Sequence, residues 1–495
     1  MTTDRQKATY ARRVYPLDAH DLTEEQIAVA FAMTSRRPEA FDEIAKQVSQ
    51  EKAADFHERW VLGYGHGSVA EHAVVHLAVE NVSRLACDTL EDNRLGSYTE
   101  KSSRYQVMAQ DYFYFPEELS SDLELGKLYT QACQNLFREY LDFIDCTIDH
   151  LRIVNPKREK ESDSAYNMRL RRFATDSCRA VLPAATLTNV GVTANARVLE
   201  HAISKLLSSG LDEERDLGKE LAERGREITP TLIKYADRNP YLAHIPDGQI
   251  ALTNMNLPEA TAQESGSEQQ ARVRLAHWDA QAVEKIAAAI LYRHSGLGYE
   301  DVWRRVLDMA EDDRNEIIRQ CLAGLGPHDA PIREFELAEY TFDFVMDYGA
   351  YREFKRHRMM SYIPQPLTVS NGFHVPSLIF DAGLGDRFQQ AMSQTEAAFR
   401  QVSVNHPLAA QYLVTHAHYQ RVLAKMNVRE CFHLFKLRTS QLAHYAIREP
   451  VIQAMKLVVE THPGLFSYLS LRDYPDWWPF KRNDWTCRSF AFPVF

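Results

Sequence analysis

Residues Tyr348–Ser361 read YGAYREFKRHRMMS, and the organisation of the chain unfolds from their centre. Arg356-His357-Arg358 places two guanidinium groups and an imidazole in consecutive positions, shortly before Ser361. A guanidinium offers a planar fork of donors to phosphate, carboxylate or a ring carbonyl. Such a basic triplet on its own is ordinarily a solvated surface patch. This one gains weight because its surroundings occur a second time, earlier in the chain.

Asn93-Arg94-Leu95-Gly96-Ser97-Tyr98 stands beside His357-Arg358-Met359-Met360-Ser361-Tyr362. Upstream, Asp18–Arg36 lies beside His277–His294, each a loop or short strand running into an Ala-rich helix. Gly65-His66-Gly67-Ser68-Val69-Ala70-Glu71-His72 lies beside Gly326-Pro327-His328-Asp329-Ala330-Pro331. Both are turns with a histidine, followed by partly alternating apolar runs (AVVHLAVENV and FELAEYTFDFV) that suit a strand entering a helix. Downstream, Phe113-Tyr114-Phe115-Pro116 matches Phe373-His374-Val375-Pro376, each ahead of a long helical stretch. Asn195-Ala196-Arg197 with His201 matches Asn427-Val428-Arg429 with His433. The order never breaks, which is the mark of a tandem duplication. Each half is α+β and mostly helical. Asn256–Gln270 is small and polar, as a solvated linker should be. The domains expected are therefore 1–255 and 271–495 around a linker at 256–270. Pro156–Ser164 is a charged surface loop, and Tyr474–Phe495, rich in Trp, Phe and Pro, is a tail packed on the second half.

The chain has 495 residues, too many for one ordinary core. Its 45% hydrophobic and 25% charged residues are those of a water-soluble globular protein. A net charge of −11 excludes nucleic-acid binding by bulk charge, so a phosphate site must come from local arginines. No apolar run reaches membrane-spanning length, and the first residues lack the apolar core of a signal peptide. The seven cysteines are scattered without a CxxC, which suggests neither a zinc ribbon nor a disulfide framework and fits a reduced, cytoplasmic protein. His416-Ala417-His418 invites a metal reading, but on a helix i and i+2 do not face each other, so no metal is expected.

In this order the motifs resemble the flavin-dependent thymidylate synthases. That family combines a Gly-His…Glu-His element, an RHR, a spaced Ser, a Ser-x-Arg-Tyr run, an Arg-x-x-Leu-Pro, an Asn-Ala-Arg and a Leu-Arg. The resemblance covers most of both halves, but each half keeps a different part. The first half keeps Gly65-His66, Glu71-His72, Arg94, Ser97, Glu100, Ser102, Arg104 and Tyr105, then Arg179 with Leu182-Pro183, and Asn195-Ala196-Arg197. Its RHR begins with Asp92-Asn93 instead, and Leu206 stands where the catalytic Arg belongs. The second half keeps Arg356-His357-Arg358, Ser361, Asn427-Val428-Arg429 and Leu437-Arg438. It has Pro366-Leu367-Thr368-Val369 for the Ser-x-Arg-Tyr run, Gln411 for the phosphate-binding Arg, and Arg333-Glu334 for Glu-His.

The resemblance implies two fused synthase-like domains, helices around a small mostly antiparallel sheet, forming a pseudo-dimer. Family members are about half this length and assemble as homotetramers, so a homodimer of this chain would mimic the tetramer. It also implies one composite site that takes Ser102, Arg104 and Arg179 from the first half and Arg356 and Arg438 from the second. Arg104, Arg179, Arg356 and Ser102 would hold the phosphate of dUMP. Arg438, with Arg356, would be catalytic, set against the uracil carbonyls. FAD would be held by Arg356, His357, Arg358, Asn427 and Arg429, with Glu100, His72, Asn195 and Arg197. Methylene-tetrahydrofolate would give the carbon and NADPH the electrons, and no cysteine is nominated as nucleophile. The partners implied are a nucleotide and a folate, with neither nucleic acid nor membrane. Two alternatives stay open: the same chemistry on another uridine nucleotide, or a non-catalytic flavin- or nucleotide-binding homologue. Arg179 and Arg438 equally suit structural ion pairs, His72 and His444 suit core histidines, and Asn195 and Asn427 suit helix caps. Glu91 and Asp92 near Arg94 suit a local ion-pair cluster in place of a lost cationic site.

Overall fold

A computed structural model describes residues 13, 15–17, 21–35, 37–257 and 272–480. Contacts divide the chain into two compact units. The first draws on Met1–Ser102, Tyr112–Gly126 and Ala185–Glu259, the second on Ser103–Asp111, Lys127–Ala184 and Ala260–Phe495. Parts of the first sequence half thus fold into the second unit.

The first unit is built on a three-stranded antiparallel sheet of β1 (Val74–Ser83), β2 (Ser97–Glu100) and β3 (Leu187–Asn195), in the order β1-β3-β2. Alternation along β3 turns Thr188, Val190, Val192 and Ala194 inward. Val190, Val192 and Ala194 share a core with Leu90, Leu199, Ile203, Leu206 and Leu221 from helices Arg84–Glu91, Ala196–Leu207 and Asp212–Ile228. β1 is irregular between Val79 and Val82, where Asn81 sits at φ 58°. Asparagine tolerates this left-handed conformation, and its Oδ1 accepts from the Tyr112 hydroxyl at 2.7 Å.

The second unit has a four-stranded antiparallel sheet of β4 (Val273–Trp278), β5 (Glu339–Asp347), β6 (Ser361–Pro364) and β7 (Tyr419–Asn427), ordered β4-β5-β7-β6. Tyr340, Phe342, Phe344 and Met346 of β5 and Val422, Ala424 and Met426 of β7 are buried beneath helices that include Tyr445–Thr461.

The duplication is plain in this topology. β1 and β5 each pair with β3 and β7, and each runs straight into a helix, Arg84–Glu91 or Tyr348–Phe354. Ser83 and Asp347 cap those helices, accepting from Ala86 and Ala350 backbone N–H groups. β3 and β7 likewise run into Ala196–Leu207 and Val428–Arg438, with Asn195 and Asn427 as caps, accepting from Val198 and Glu430 at 2.9 and 2.8 Å. β4 is an addition on the outer edge of β5, with no described counterpart on β1.

The second unit also takes in the first half's long helices. Leu123–Val154 continues past Gly126 into it, and Asp163–Cys178 lies wholly within it. Tyr129, Phe137, Tyr140 and Phe143 are fully buried there, and Phe143 stacks on Phe388 of helix Gly385–Asn405. Backbone bonds join Ala184 to Val414 (2.8 Å) and His416 to Leu182 (3.0 Å). These equivalent segments of the two halves thus lie together.

The expected helix through His416–His418 is a turn entering β7, because His416 and Ala417 donate backbone bonds to Leu182 and Ala180 rather than to their own segment. His416 Nδ1 is spent on the Arg179 carbonyl (3.1 Å), and His418 Nδ1 accepts from the Thr415 amide (3.0 Å). Of the expected surface loop Pro156–Ser164, all but the half-buried Glu161 is exposed, but Ser162 caps and Asp163-Ser164 begin the helix Asp163–Cys178. Most of the linker and residues 481–495 of the tail lie outside the described residues, as do Asp18–His20 and Arg36.

Asn195 and Asn427 serve as the caps the sequence allowed. Replacing either by Ala should cost about 1 kcal/mol and lower the thermal midpoint, while Ser should restore most of it. Unchanged midpoints in both Ala variants would remove the capping role.

Candidate functional site

The second unit collects arginines from both sequence halves around two carboxylates. Arg104 comes from the short segment Ser103–Asp111, fixed by the Thr175 hydroxyl donating to its carbonyl at 2.9 Å. Its Nε and Nη2 grip both oxygens of Asp176 at 2.8 and 3.0 Å. Asp176 lies on the last turn of Asp163–Cys178, and Arg179 follows one turn later, its Nε 3.5 Å from Asp176 Oδ1. Arg179 is buried and reaches Glu353 Oε1 with Nη2 at 3.3 Å.

Glu353 stands on helix Tyr348–Phe354, within the stretch YGAYREFKRHRMMS. Its second oxygen takes Arg438 Nη1 at 3.4 Å, and its carbonyl accepts from Arg438 Nη2 at 3.3 Å. Glu353 thus bridges Arg179 to Arg438, the last residue of helix Val428–Arg438. Burial works to raise its pKa. Arg179, Arg104 and Arg438 more than offset this and hold the carboxyl below the usual range. Arg438 Nε donates to His357 Nε2 at 2.9 Å. Arg356, in the exposed turn after Tyr348–Phe354, is close enough for its charge to disfavour that of Arg438.

His444 Nε2 lies 3.6 Å from Asp176, and its Nδ1 accepts from the Ala446 amide, capping helix Tyr445–Thr461. Burial, then the Arg179 charge, push its pKa down to about 2, so the ring is neutral. Behind Arg179, Asp347 is buried and caps its helix through Ala350 at 2.6 Å. It lines a small polar cavity of about 30 Å³ with Arg272, His374, Tyr419 and Tyr445. Burial pushes its carboxyl up to about 7, against the Ala350 hydrogen bond and Arg179.

The structure therefore brings Arg104, Arg179, Arg438 and Arg356 together in one unit. Ser102 belongs to the first unit, at the end of the loop after β2. The residues expected to hold flavin are divided. In the second unit His357 is buried behind Arg438, Arg358 is exposed, and Asn427 caps its helix. Arg429 binds Glu336 (2.7 Å) and the Pro331 carbonyl (2.9 Å). In the first unit Glu100 forms a buried pair with Arg84 at 2.9 Å, and Arg197 pairs with Glu71. His72 packs on Phe31 and lines a cavity of about 490 Å³ with Trp60 and His66. Asp92, in place of the first Arg of an RHR, pairs with Lys205 at 2.6 Å. Sequence reasoning passed over Asp176 and Glu353, although each precedes a nominated arginine, Arg179 or Arg356, by three residues.

Residues 17–231 and 275–464 each match the family described as thymidylate synthase complementing protein. A protein of Chlamydia muridarum named UPF0159 protein is 32% identical over 440 residues, covering 86% of this chain and 82% of its own. A UPF0159 protein of Thermoplasma acidophilum is 28% identical over 468 residues, covering 86% of this chain and 91% of its own. The flavin-dependent thymidylate synthase of Clostridium tetani is 27% identical over 228 residues, which are 46% of this chain but 88% of that protein. About half of this chain therefore accounts for nearly all of a single-copy relative. Among the described residues, no helix is long and apolar enough to cross a membrane.

Asp347 makes stability depend on pH with a definite sign. Its folded pKa of about 7 lies above the unfolded value of roughly 4. Its contribution is complete below about pH 4 and is lost as pH rises through about 7. Asp347→Asn keeps the cap and removes the titration. Urea midpoints of the variant should fall less than wild type between those limits, and parallel curves would contradict the assignment.

Proposed function

Because this chain belongs to the thymidylate synthase complementing protein family, which it matches twice in succession, we propose that it is a flavin-dependent enzyme converting dUMP to dTMP by reductive methylation. Methylene-tetrahydrofolate is then the carbon donor and NADPH the electron source. One observation carries the reading: Arg104 and Arg179 from the first sequence half and Arg356 and Arg438 from the second fall within one compact unit. Three of them are already tied through Asp176 and Glu353.

In this reading Arg104, Arg179 and Arg356 receive the dianionic phosphate. Charge-assisted bonds of this kind contribute about 1.5–3 kcal/mol each. Arg438 faces the uracil carbonyls, where a fixed cation stabilises negative charge developing on the ring. Three guanidinium groups against two carboxylates leave a net positive site, and Arg356 adds to it. The carboxylates hold the arginines in place before the nucleotide arrives, which reduces the ordering cost of binding.

The side chains nominated for FAD suit an anionic pyrophosphate: Arg356, Arg358 and Arg429 are cations, and Asn427 uses only its amide oxygen as a cap, keeping its NH2 as a donor. Glu100, His72, Asn195 and Arg197 are the corresponding candidates of the first unit. Reduced flavin supplies the hydride when bound. The halves 1–255 and 271–495 then act as a pseudo-dimer, and two chains complete the assembly. A second reading is a non-catalytic nucleotide-binding homologue, in which the pairing of Arg104 with Asp176 and of Arg179 with Glu353 is structural.

The test is turnover of dUMP by protein whose flavin content has been counted from its absorption spectrum. Arg104→Ala and Arg438→Ala should each abolish turnover, and the double variant should be no worse than either, since both serve one site. Mild, additive losses would overturn the composite site. A colourless protein that FAD does not reconstitute would favour the non-catalytic homologue.

A further inference from the structure

We propose that Glu430 is a positioning residue for Arg438, acting through His357: its carboxylate keeps the imidazole proton on Nδ1, leaving Nε2 as the acceptor that holds the guanidinium. The functional consequence rests on the reading of Arg438 as the group set against the uracil; the contacts of His357 with Glu430 and Arg438 do not.

A guanidinium only donates, so the 2.9 Å contact from Arg438 Nε requires a lone pair on His357 Nε2. A neutral imidazole carries one N–H, which must then be on Nδ1. An imidazolium would set two cations against each other with no acceptor between them. Facing Nδ1 is Glu430 Oε1 at 3.4 Å, an electrostatic contact without hydrogen-bond geometry, while the hydrogen bond to that oxygen comes from His433 Nδ1 at 3.5 Å; an anion so placed favours the N–H on the nitrogen facing it. His357 and Glu430 are 2% and 5% exposed, so water is not a ready substitute for either partner. Burial lowers the His357 pKa and Arg438 lowers it further, which outweighs Glu430 and keeps the ring neutral.

The helix Val428–Arg438 explains why both contacts fall on one imidazole. Glu430 lies in its first turn, where the helix dipole favours an anion, and Arg438 is its last residue. Their backbone positions are about 12 Å apart along the axis. Side chains lean toward the N-terminus of a helix, so that of Arg438 reaches back toward His357. His357 spans the remaining gap between the two.

The same three side chains invite another assignment. Ligand atoms of His357, Glu430 and His433 lie within 4.8 Å of one another, as in a metal site. A metal on Nδ1 would, however, force the ring proton onto Nε2, where it would meet the Arg438 N–H. The arginine contact and a metal exclude each other.

The experiment uses the full chain labelled with ¹⁵N-histidine, in which His357 is assigned by difference against His357→Asn. The wild-type ring should be neutral with its proton on Nδ1; a proton on Nε2 overturns the proposal outright, whatever the variants do. Glu430→Gln keeps an acceptor oxygen toward Nδ1, whereas Glu430→Leu removes it. The Leu variant should lose the Nδ1–H tautomer and at least tenfold in kcat for dUMP, with flavin content and thermal midpoint matched to the Gln variant, which should retain most activity. In the His357→Asn background, whose amide oxygen can accept from Arg438 unaided, Glu430→Leu should add no further loss. Equal turnover of the Gln and Leu variants overturns the positioning role while leaving the enzyme reading intact. A chain inactive on dUMP that still shows the tautomer change supports the control of His357 by Glu430 and removes the enzyme reading instead.

Discussion

A guanidinium taken out of water must find carboxylate oxygens or carbonyls, and the second unit is arranged around that requirement. Arg179 is buried, Arg104 and Arg438 are partly buried, and two carboxylates serve all three. Asp176 accepts both donors of the Arg104 fork and lies near Arg179; Glu353 gives one oxygen to Arg179 and one to Arg438. Removing Glu353 would leave the buried Arg179 with Asp176 at 3.5 Å as its remaining carboxylate, and removing Asp176 would leave Arg104 without the carboxylate its fork grips. The network therefore fixes the spacing of the cations, and that spacing is what an anionic ligand would meet.

The network also ties together what the sequence separates. Arg104, Asp176 and Arg179 come from the first half, Glu353 and Arg438 from the second. The polar chain reinforces the apolar contacts between the long helices, such as Phe143 on Phe388. Gln411 stands where the first half has Arg179. Gln411 is instead used structurally, its side-chain oxygen accepting from the Leu367 amide at 3.0 Å.

Neutral histidines do a different job around this core of charges. His444 and His357 sit beside arginines and lose their protons to burial, so each has a defined tautomer and a defined acceptor. Tautomers set by backbone or carboxylate partners make such side chains rigid directional groups. His416 does the same from its turn, donating Nδ1–H to the Arg179 carbonyl.

The local units were legible in the sequence. Alternation in FELAEYTFDFV gave β5, and the Asn at the strand end gave a cap, because hydrophobic period and capping depend on neighbours within a few residues. The order of matched motifs, read twice, gave the duplication and the family. Other features needed the fold. His416–His418 looked helical in isolation, and its turn exists only because Leu182 and Ala180 accept its amide protons. The partners of the nominated arginines were equally hidden, since Asp176 and Glu353 are ordinary helix acids until segments far apart in the chain meet. The sequence by itself determined which residue types recur and in what order. The tertiary structure decided that the first half's long helices join the second unit and pack on helices of the second half, because burying their apolar faces and pairing their charges requires partners that no local stretch contains.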